Sequence, residues 1–490
     1  MSSVATIPCF INGKERLEDN LFEKFDPATG ALSAQVVESS EGLVDEAVMA
    51  AHAALKGPWG RTTLQERVAA MRRLANLMQS RLAEIAAEEI RDTGKPINAV
   101  ATGEISRAIA NFTAFADIAM ADKHDPFRTE MAGGAGAINE IVRAPVGVIG
   151  IVAPWNLPLL LLTWKVAPAL ACGNTVVVKP SEHTPRTAVL LARLALEAGI
   201  PAGVINIVHG HGANAAGSFL VAHPRVNAVT FTGETRTGEA IMRGAAAGPR
   251  PVSLELGGKN PAIVFNDSDF EAAVTGTARS MFDNCGQVCL TTERIFVQRG
   301  IFERFVAAVG ERARALKPGD PMNPATTLGP AISKQQQEKV LGFYQRTARA
   351  GARVVAGGGI IEMPAPFTNG YWVQPSIWTG LSDDAEICQK EVFGPCAHIS
   401  VFDEEEEVVE RANKSEYGLA AAIWTSDLAK AQRVAQGLQS GTVWINCWRV
   451  RDERAAFGGF KKSGVGREGG VWSLDFYSNV KTICRFEPAE

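Results

Sequence analysis

The chain is poor in the residues and patterns that mark several common protein classes. Its 490 residues include only eight cysteines, at positions 9, 172, 285, 289, 388, 396, 447 and 484, and none has the spacing of a small disulfide-stapled domain. They read as reduced thiols in a cytoplasmic protein. The seven histidines lie apart from Cys285-x-x-x-Cys289, so that pair lacks the second half of a zinc site and no metal is expected. Lysine and arginine are dispersed and the net charge is −4, which argues against nucleic acid as a partner. The most apolar stretch, 157–162, is bracketed by Pro158 and Lys165 and falls far short of a bilayer span, so no membrane-embedded form is expected. Residues 1–8 lack a basic start and a continuous apolar core, and no signal peptide is expected. No repeat, low-complexity tract or Pro/Ser linker interrupts the chain.

What is present reads as α/β. The length exceeds one ordinary hydrophobic core and predicts two or three domains. Thr63-Leu64-Gln65-Glu66 has the form of a capping box, and Val68, Met71, Leu74, Leu77, Met78, Leu82 and Ile85 follow at helical spacing, predicting one long helix. Apolar runs at 146–153, 175–178, 204–208 and 228–231 have no helical period and read as strands buried on both faces of a parallel sheet. Helical patterns at 187–198 and 238–247 lie between and after them, as in a doubly wound nucleotide-binding unit. A second α/β set, with strands at 262–265, 295–298, 397–402 and 442–446, fills the stretch from 261 to about 440. Two further alternating segments, 133–143 and 476–485, have little to bury against and read as ribbons.

The chemistry centres on Cys289, in Gly286-Gln287-Val288-Cys289-Leu290-Thr291-Thr292, and on Glu255, in Leu254-Glu255-Leu256-Gly257-Gly258-Lys259-Asn260. A thiol nucleophile needs a base to form thiolate and a base to activate water on any thioester it forms, and one glutamate can serve both needs. Lys179 and Glu182 in Val178-Lys179-Pro180-Ser181-Glu182 follow a predicted strand, where nucleotides bind in open α/β sheets. A carboxylate there accepts from ribose hydroxyls and repels a 2′-phosphate, favouring NAD over NADP. Phe231-Thr232-Gly233-Glu234-Thr235-Arg236-Thr237-Gly238 joins a strand to a helix whose first N–H groups suit a pyrophosphate, although the glycine spacing is not the common dinucleotide fingerprint.

These motifs, with Pro154-Trp155-Asn156-Leu157-Pro158, Glu391-Val392-Phe393-Gly394-Pro395 and Gly464-Val465-Gly466-Arg467-Glu468, occur in an order and at separations that resemble the aldehyde dehydrogenase superfamily from about Phe10 onward. The resemblance implies a Rossmann-type NAD-binding domain (1–125 and 146–257), an α/β catalytic domain (258–472) and a β arm (126–145 and 473–490) that joins subunits into a homodimer or homotetramer. It implies that Cys289 attacks an aldehyde, that Asn156 and the Cys289 N–H stabilise the oxyanion, that Glu255 activates water and that Glu468 passes protons outward. It assigns Trp155, Lys179, Glu182, Gly233, Thr235, Gly238, Glu391 and Phe393 to NAD, and Arg107, Leu161, Trp164, Arg451 and Phe457 to the substrate. Guanidinium groups pair bidentately with carboxylates, and Leu157 and Leu161 leave an aromatic box for a cationic aldehyde incomplete. The chain therefore looks most like the dehydrogenases of 2-hydroxymuconic and 2-aminomuconic semialdehyde in aromatic ring-cleavage pathways. Either arginine could instead be a surface salt-bridge partner. A dehydrogenase of betaine aldehyde or a general aliphatic aldehyde, and a non-catalytic structural relative, are the alternatives.

Overall fold

A computed structural model describes residues 4–489; residues 1–3 and 490 of the expected ranges lie outside the described residues. Two mostly parallel sheets carry the architecture. The first has eight strands in the order Gly464–Val465, Val252–Glu255, Ala228–Thr232, Val148–Val152, Thr175–Lys179, Ile205–Ile207, Cys9–Ile11 and Lys14–Arg16. The run from Val252–Glu255 to Ile205–Ile207 is parallel throughout. Helices Pro158–Ala171, Arg186–Glu197 and Thr235–Ala245 lie between or after its strands, as the expected nucleotide-binding unit requires. Its central strands are buried along their whole length, which explains continuous apolar runs without alternation. The outer strands were not foreseen: Cys9–Ile11 and Gly464–Val465 join antiparallel. Gly464–Val465 thus comes from the segment expected to be catalytic and hydrogen-bonds to the other sheet.

The second sheet has seven strands in the order Arg353–Ala356, Ser376–Thr379, Cys396–Phe402, Thr292–Gln298, Asn260–Val264, Ala420–Trp424 and Thr442–Ile445. Only Arg353–Ala356 is antiparallel to its neighbour. A third sheet pairs Phe127–Glu130 with Gly136–Pro145, and Gly136–Pro145 with Ser478–Glu487. The ribbon expected from 476 starts only at 478, because Phe476 and Tyr477 finish the helix Gly470–Tyr477.

The predicted long helix is two helices, Leu64–Ser80 and Leu82–Thr93. Its capping box is present: the Thr63 N–H donates to Glu66 Oε2 at 2.7 Å and the Glu66 N–H to Thr63 Oγ1 at 3.3 Å. The break falls at Arg81, with φ −106° and ψ 16°. Beside it the Ser80 hydroxyl donates to the Leu77 carbonyl at 2.7 Å, a side-chain bond that competes with the helical ladder and bends helices. Among the described residues no helix is long and apolar enough to cross a membrane.

Candidate active site

The site forms at the carboxyl edge of the first sheet, where ligands of open α/β sheets collect. Lys179, Thr232 and Glu255 are the last residues of three parallel strands of this sheet, and Val148–Val152, between the first two, leads directly into Trp155 and Asn156. Cys289 arrives from the second sheet, in the loop before Thr292–Gln298. That loop begins with Asn284, Cys285 and Gly286 in left-handed conformation, φ 54°, 55° and 68°. A Cβ on Gly286 would lie 1.9 Å from the Gly394 carbonyl oxygen, so only glycine fits. Asn260 fixes the far side, donating from Nδ2 to the carbonyls of Cys289 at 2.7 Å and Thr291 at 2.9 Å. Asn260 lies in the Glu255 motif, where nothing local marks it for this role.

Cys289 is shared by two cavities. One holds Trp155, Asn156, Gly233, Glu391 and Phe393 and continues into a groove of about 510 Å³ along Lys179 and Glu182. Burial alone would raise the Glu182 carboxyl, but Lys179, whose Nζ lies 3.4 Å away, brings it down to about 2. Lys179 is itself fixed by donating to the Gly210 carbonyl at 2.6 Å. At the other end the Trp155 and Phe393 rings meet edge to face, centroids 5.2 Å apart. The Gly258 N–H donates to Glu391 Oε1 at 2.9 Å. The turn carrying Glu391 and Phe393 is held by Glu293, which accepts from the N–H groups of Val392 and Phe393 and pairs with buried Lys259. The Lys259–Glu293 pair was not foreseen.

The groove fits a dinucleotide. It offers an ionised carboxylate beside a lysine, and a strand-to-helix turn with no side chain at Gly233, where a Cβ would lie 2.4 Å from the Phe231 ring. Thr235 opens the helix between the lining residues Glu234 and Arg236. Gly238, one turn further, packs on Leu256, 2.5 Å from where a Cβ would stand, and does not line the groove.

The second cavity brings Arg107, Leu161, Trp164, Arg451 and Phe457 onto the same wall as Cys289, Glu255 and Glu468. Glu255 Oε2 is buried without a hydrogen-bond partner, and its carboxyl is pushed up to about 8 by burial and by the charge of Glu468. The Cys289 thiol is pushed up to about 12 by burial, Glu255 and Glu391, so at rest it is protonated. Asn156, on the first cavity, gives one N–H to the Gln287 carbonyl at 3.0 Å, leaving the other for an oxygen bound beside Cys289. Glu468 does not sit in solvent: it accepts from Lys165 Nζ at 2.5 Å and Trp164 Nε1 at 2.9 Å. Lys165 was missed, because a lysine in an otherwise apolar helix gives no local sign of its partner.

Arg107 and Arg451 are not surface salt-bridge partners. Among the described residues neither has an ion pair or a hydrogen-bond acceptor. Arg451 is sandwiched by aromatics, its guanidinium carbon 3.9 Å from the Phe457 ring centroid and 4.7 Å from that of Trp164. Burial and the neighbouring charge of Arg107 depress its pKa to about 10. Two cations side by side, each without an ion-pair partner in a partly buried cavity, are a costly arrangement that a bound carboxylate would relieve. Arg449 borders the same cavity and was not foreseen either.

The chain is similar to known proteins over nearly its whole length. The sequence model of the aldehyde dehydrogenase family matches residues 14–483. A 2-hydroxymuconic semialdehyde dehydrogenase from Pseudomonas sp. (strain CF600) is 54% identical over 97% of this chain and 98% of its own length. A 2-aminomuconic 6-semialdehyde dehydrogenase from Pseudomonas sp. is 50% identical over 97% of each. Among solved structures, the NAD+ complex of an aldehyde dehydrogenase from Bacillus cereus superposes with a TM-score of 0.93 at 39% identity, covering 98% of this chain and 96% of that one.

Proposed function

Because the chain belongs to the aldehyde dehydrogenase family, we propose that it is an NAD-dependent dehydrogenase of a carboxylate-bearing dienal, 2-hydroxymuconic or 2-aminomuconic 6-semialdehyde, in the catabolism of ring-cleaved aromatics. The observation that carries the substrate class is that Arg107 and Arg451 line the cavity with Cys289 and form no ion pair there. A neutral or cationic aldehyde would leave both guanidiniums unmatched.

Lys179 and Glu182 would hold the ribose of NAD, the turn at Gly233 its pyrophosphate, and Trp155, Glu391 and Phe393 its nicotinamide end. When bound, NAD supplies the acceptor for the hydride that the oxidation removes. The chain's own residues do the remaining work. Glu255 takes the thiol proton as Cys289 Sγ forms the bond to the aldehyde carbon, while the free N–H of Asn156 and the Cys289 N–H donate to its oxygen. Once it has passed that proton on, Glu255 removes a proton from the water that hydrolyses the thioester. Glu468 and Lys165 set the charge that Glu255 feels, and we assign the outward proton path to them.

The three-stranded sheet exposes Phe127, Val480, Ile483 and Phe486, and we assign it to pairing with further copies of the chain, as a dimer or tetramer. The experiment that tests the reading is NADH formation with a panel of neutral, cationic and acidic aldehydes, with and without coenzyme A. Preference for the acidic dienals, independent of coenzyme A, supports it. Equal rates across the panel leave a general aldehyde dehydrogenase.

A further inference from the structure

Arg449 stands beside the two arginines already described and has a different neighbourhood. It borders both the catalytic cavity and an outer cavity of about 690 Å³ that also contains Arg107 and Arg451. Its backbone is left-handed, φ 59°, three residues after Asn446 at φ 54°. Such a conformation is strained in a non-glycine residue, and strained residues cluster at functional sites. Its guanidinium is steered by Asp283, at 3.9 Å, and by the Trp448 ring, 5.9 Å from carbon to centroid. Asp283 gives its closer contact to Arg279, at 3.1 Å. Among the described residues no N–H of Arg449 has a hydrogen-bond acceptor.

We propose that Arg449 reads the substituent next to the substrate's carboxylate and turns the enzyme toward a 2-hydroxy over a 2-amino dienal. The inference rests on the reading of Arg107 and Arg451 as the carboxylate clamp. In a 2-substituted dienoate the substituent atom and the carboxylate oxygens are separated by only two carbons, so clamping one brings the other against a third guanidinium. An enol, conjugated through the diene to the aldehyde, is a vinylogous acid: it offers oxygen lone pairs and, once ionised, a second negative charge. Guanidinium is a pure donor and matches both. An amine conjugated in the same way is a vinylogous amide that presents N–H groups to N–H groups. The two carboxylates that border the outer cavity are already engaged, Glu104 with Lys95 at 2.7 Å and Asp283 with Arg279 and Arg449. Leaving polar groups unmatched in a confined site is what separates such analogues most strongly.

The test is the ratio of kcat/KM for 2-hydroxymuconic over 2-aminomuconic semialdehyde, with products quantified by chromatography, in the wild type, Arg449→Met and Arg449→Lys. A ratio cancels the fraction of active enzyme, so a partly folded variant still reports. The wild type should favour the hydroxy substrate by about tenfold or more, Arg449→Met should lower the ratio about tenfold, and Arg449→Lys should fall between. A wild-type ratio near one, or below it, overturns the proposal without any variant, and so does an unchanged ratio in Arg449→Met. If neither dienal is oxidised while a simple neutral aldehyde is, the carboxylate clamp itself fails, and Arg449 with it.

Discussion

Lys165 Nζ donates to Glu468 Oε1 at 2.5 Å inside the helix-sheet core, placing a buried ion pair close enough to act on Glu255, the proposed base. Glu468 raises the Glu255 carboxyl and Lys165 lowers it, with burial the larger cause and a resultant of about 8. Glu255 accepts protons only when ionised, so the hydrolytic step should speed up as pH rises through about 8 and slow roughly tenfold per pH unit below it. In Glu468→Gln the like charge is gone and Lys165 is left unopposed; the rising limb should move to lower pH. Single-turnover acid release measured across pH checks this, and a limb that moves upward would contradict it.

Cys289→Ala should abolish oxidation and still bind NAD, because the thiol makes the covalent bond while the groove along Lys179 and Glu182 lies apart from it. Turnover assays and fluorescence titration with NAD separate the two effects. Appreciable turnover would remove Cys289 from the mechanism.

Glu255→Gln should form the acyl enzyme and fail to discharge it. Intact-mass measurement after mixing with NAD and aldehyde is expected to show one added acyl group on Cys289. Full steady-state activity with no adduct would show that another group activates the water.

Glu182, kept ionised by Lys179, should disfavour a 2′-phosphate by about 1–4 kcal/mol, the range for like charges 4 Å apart between bulk water and a protein surface. Glu182→Ser should narrow the NAD over NADP ratio of kcat/KM. Equal efficiency with both cofactors in the wild type would mean that Glu182 does not face the ribose.

Much of this was legible in the sequence, for physical reasons that differ by residue. Parallel strands buried on both faces announce themselves as unbroken apolar runs, and Lys179, just past one of them, is then placed by the rule that ligands gather at the carboxyl edge; Glu255 ends the strand Val252–Glu255, whose sequence is no apolar run, and only its motif marked it. The capping box at Thr63 and Glu66 marked a helix start correctly, but periodicity continued across Arg81 and hid the break. The antiparallel strands Cys9–Ile11 and Gly464–Val465 are too short to show a pattern. Lys165 and Glu468 are separated by 303 residues, and neither local context names the other. Arg449 was invisible for another reason: its importance lies in a left-handed backbone and in what its guanidinium lacks, and neither is written in composition or spacing.

The carboxylate clamp proposed for Arg107 and Arg451 decides which aldehydes are turned over. Its most direct test is kcat/KM for a muconic semialdehyde against a small neutral aldehyde in the wild type, Arg107→Ala and Arg451→Ala. Each loss of a charge-assisted pair should cost about 1.5–3 kcal/mol, tenfold or more, toward the acidic substrate alone and mainly through KM. Equal losses toward acidic and neutral aldehydes would make the arginines structural and contradict the claim.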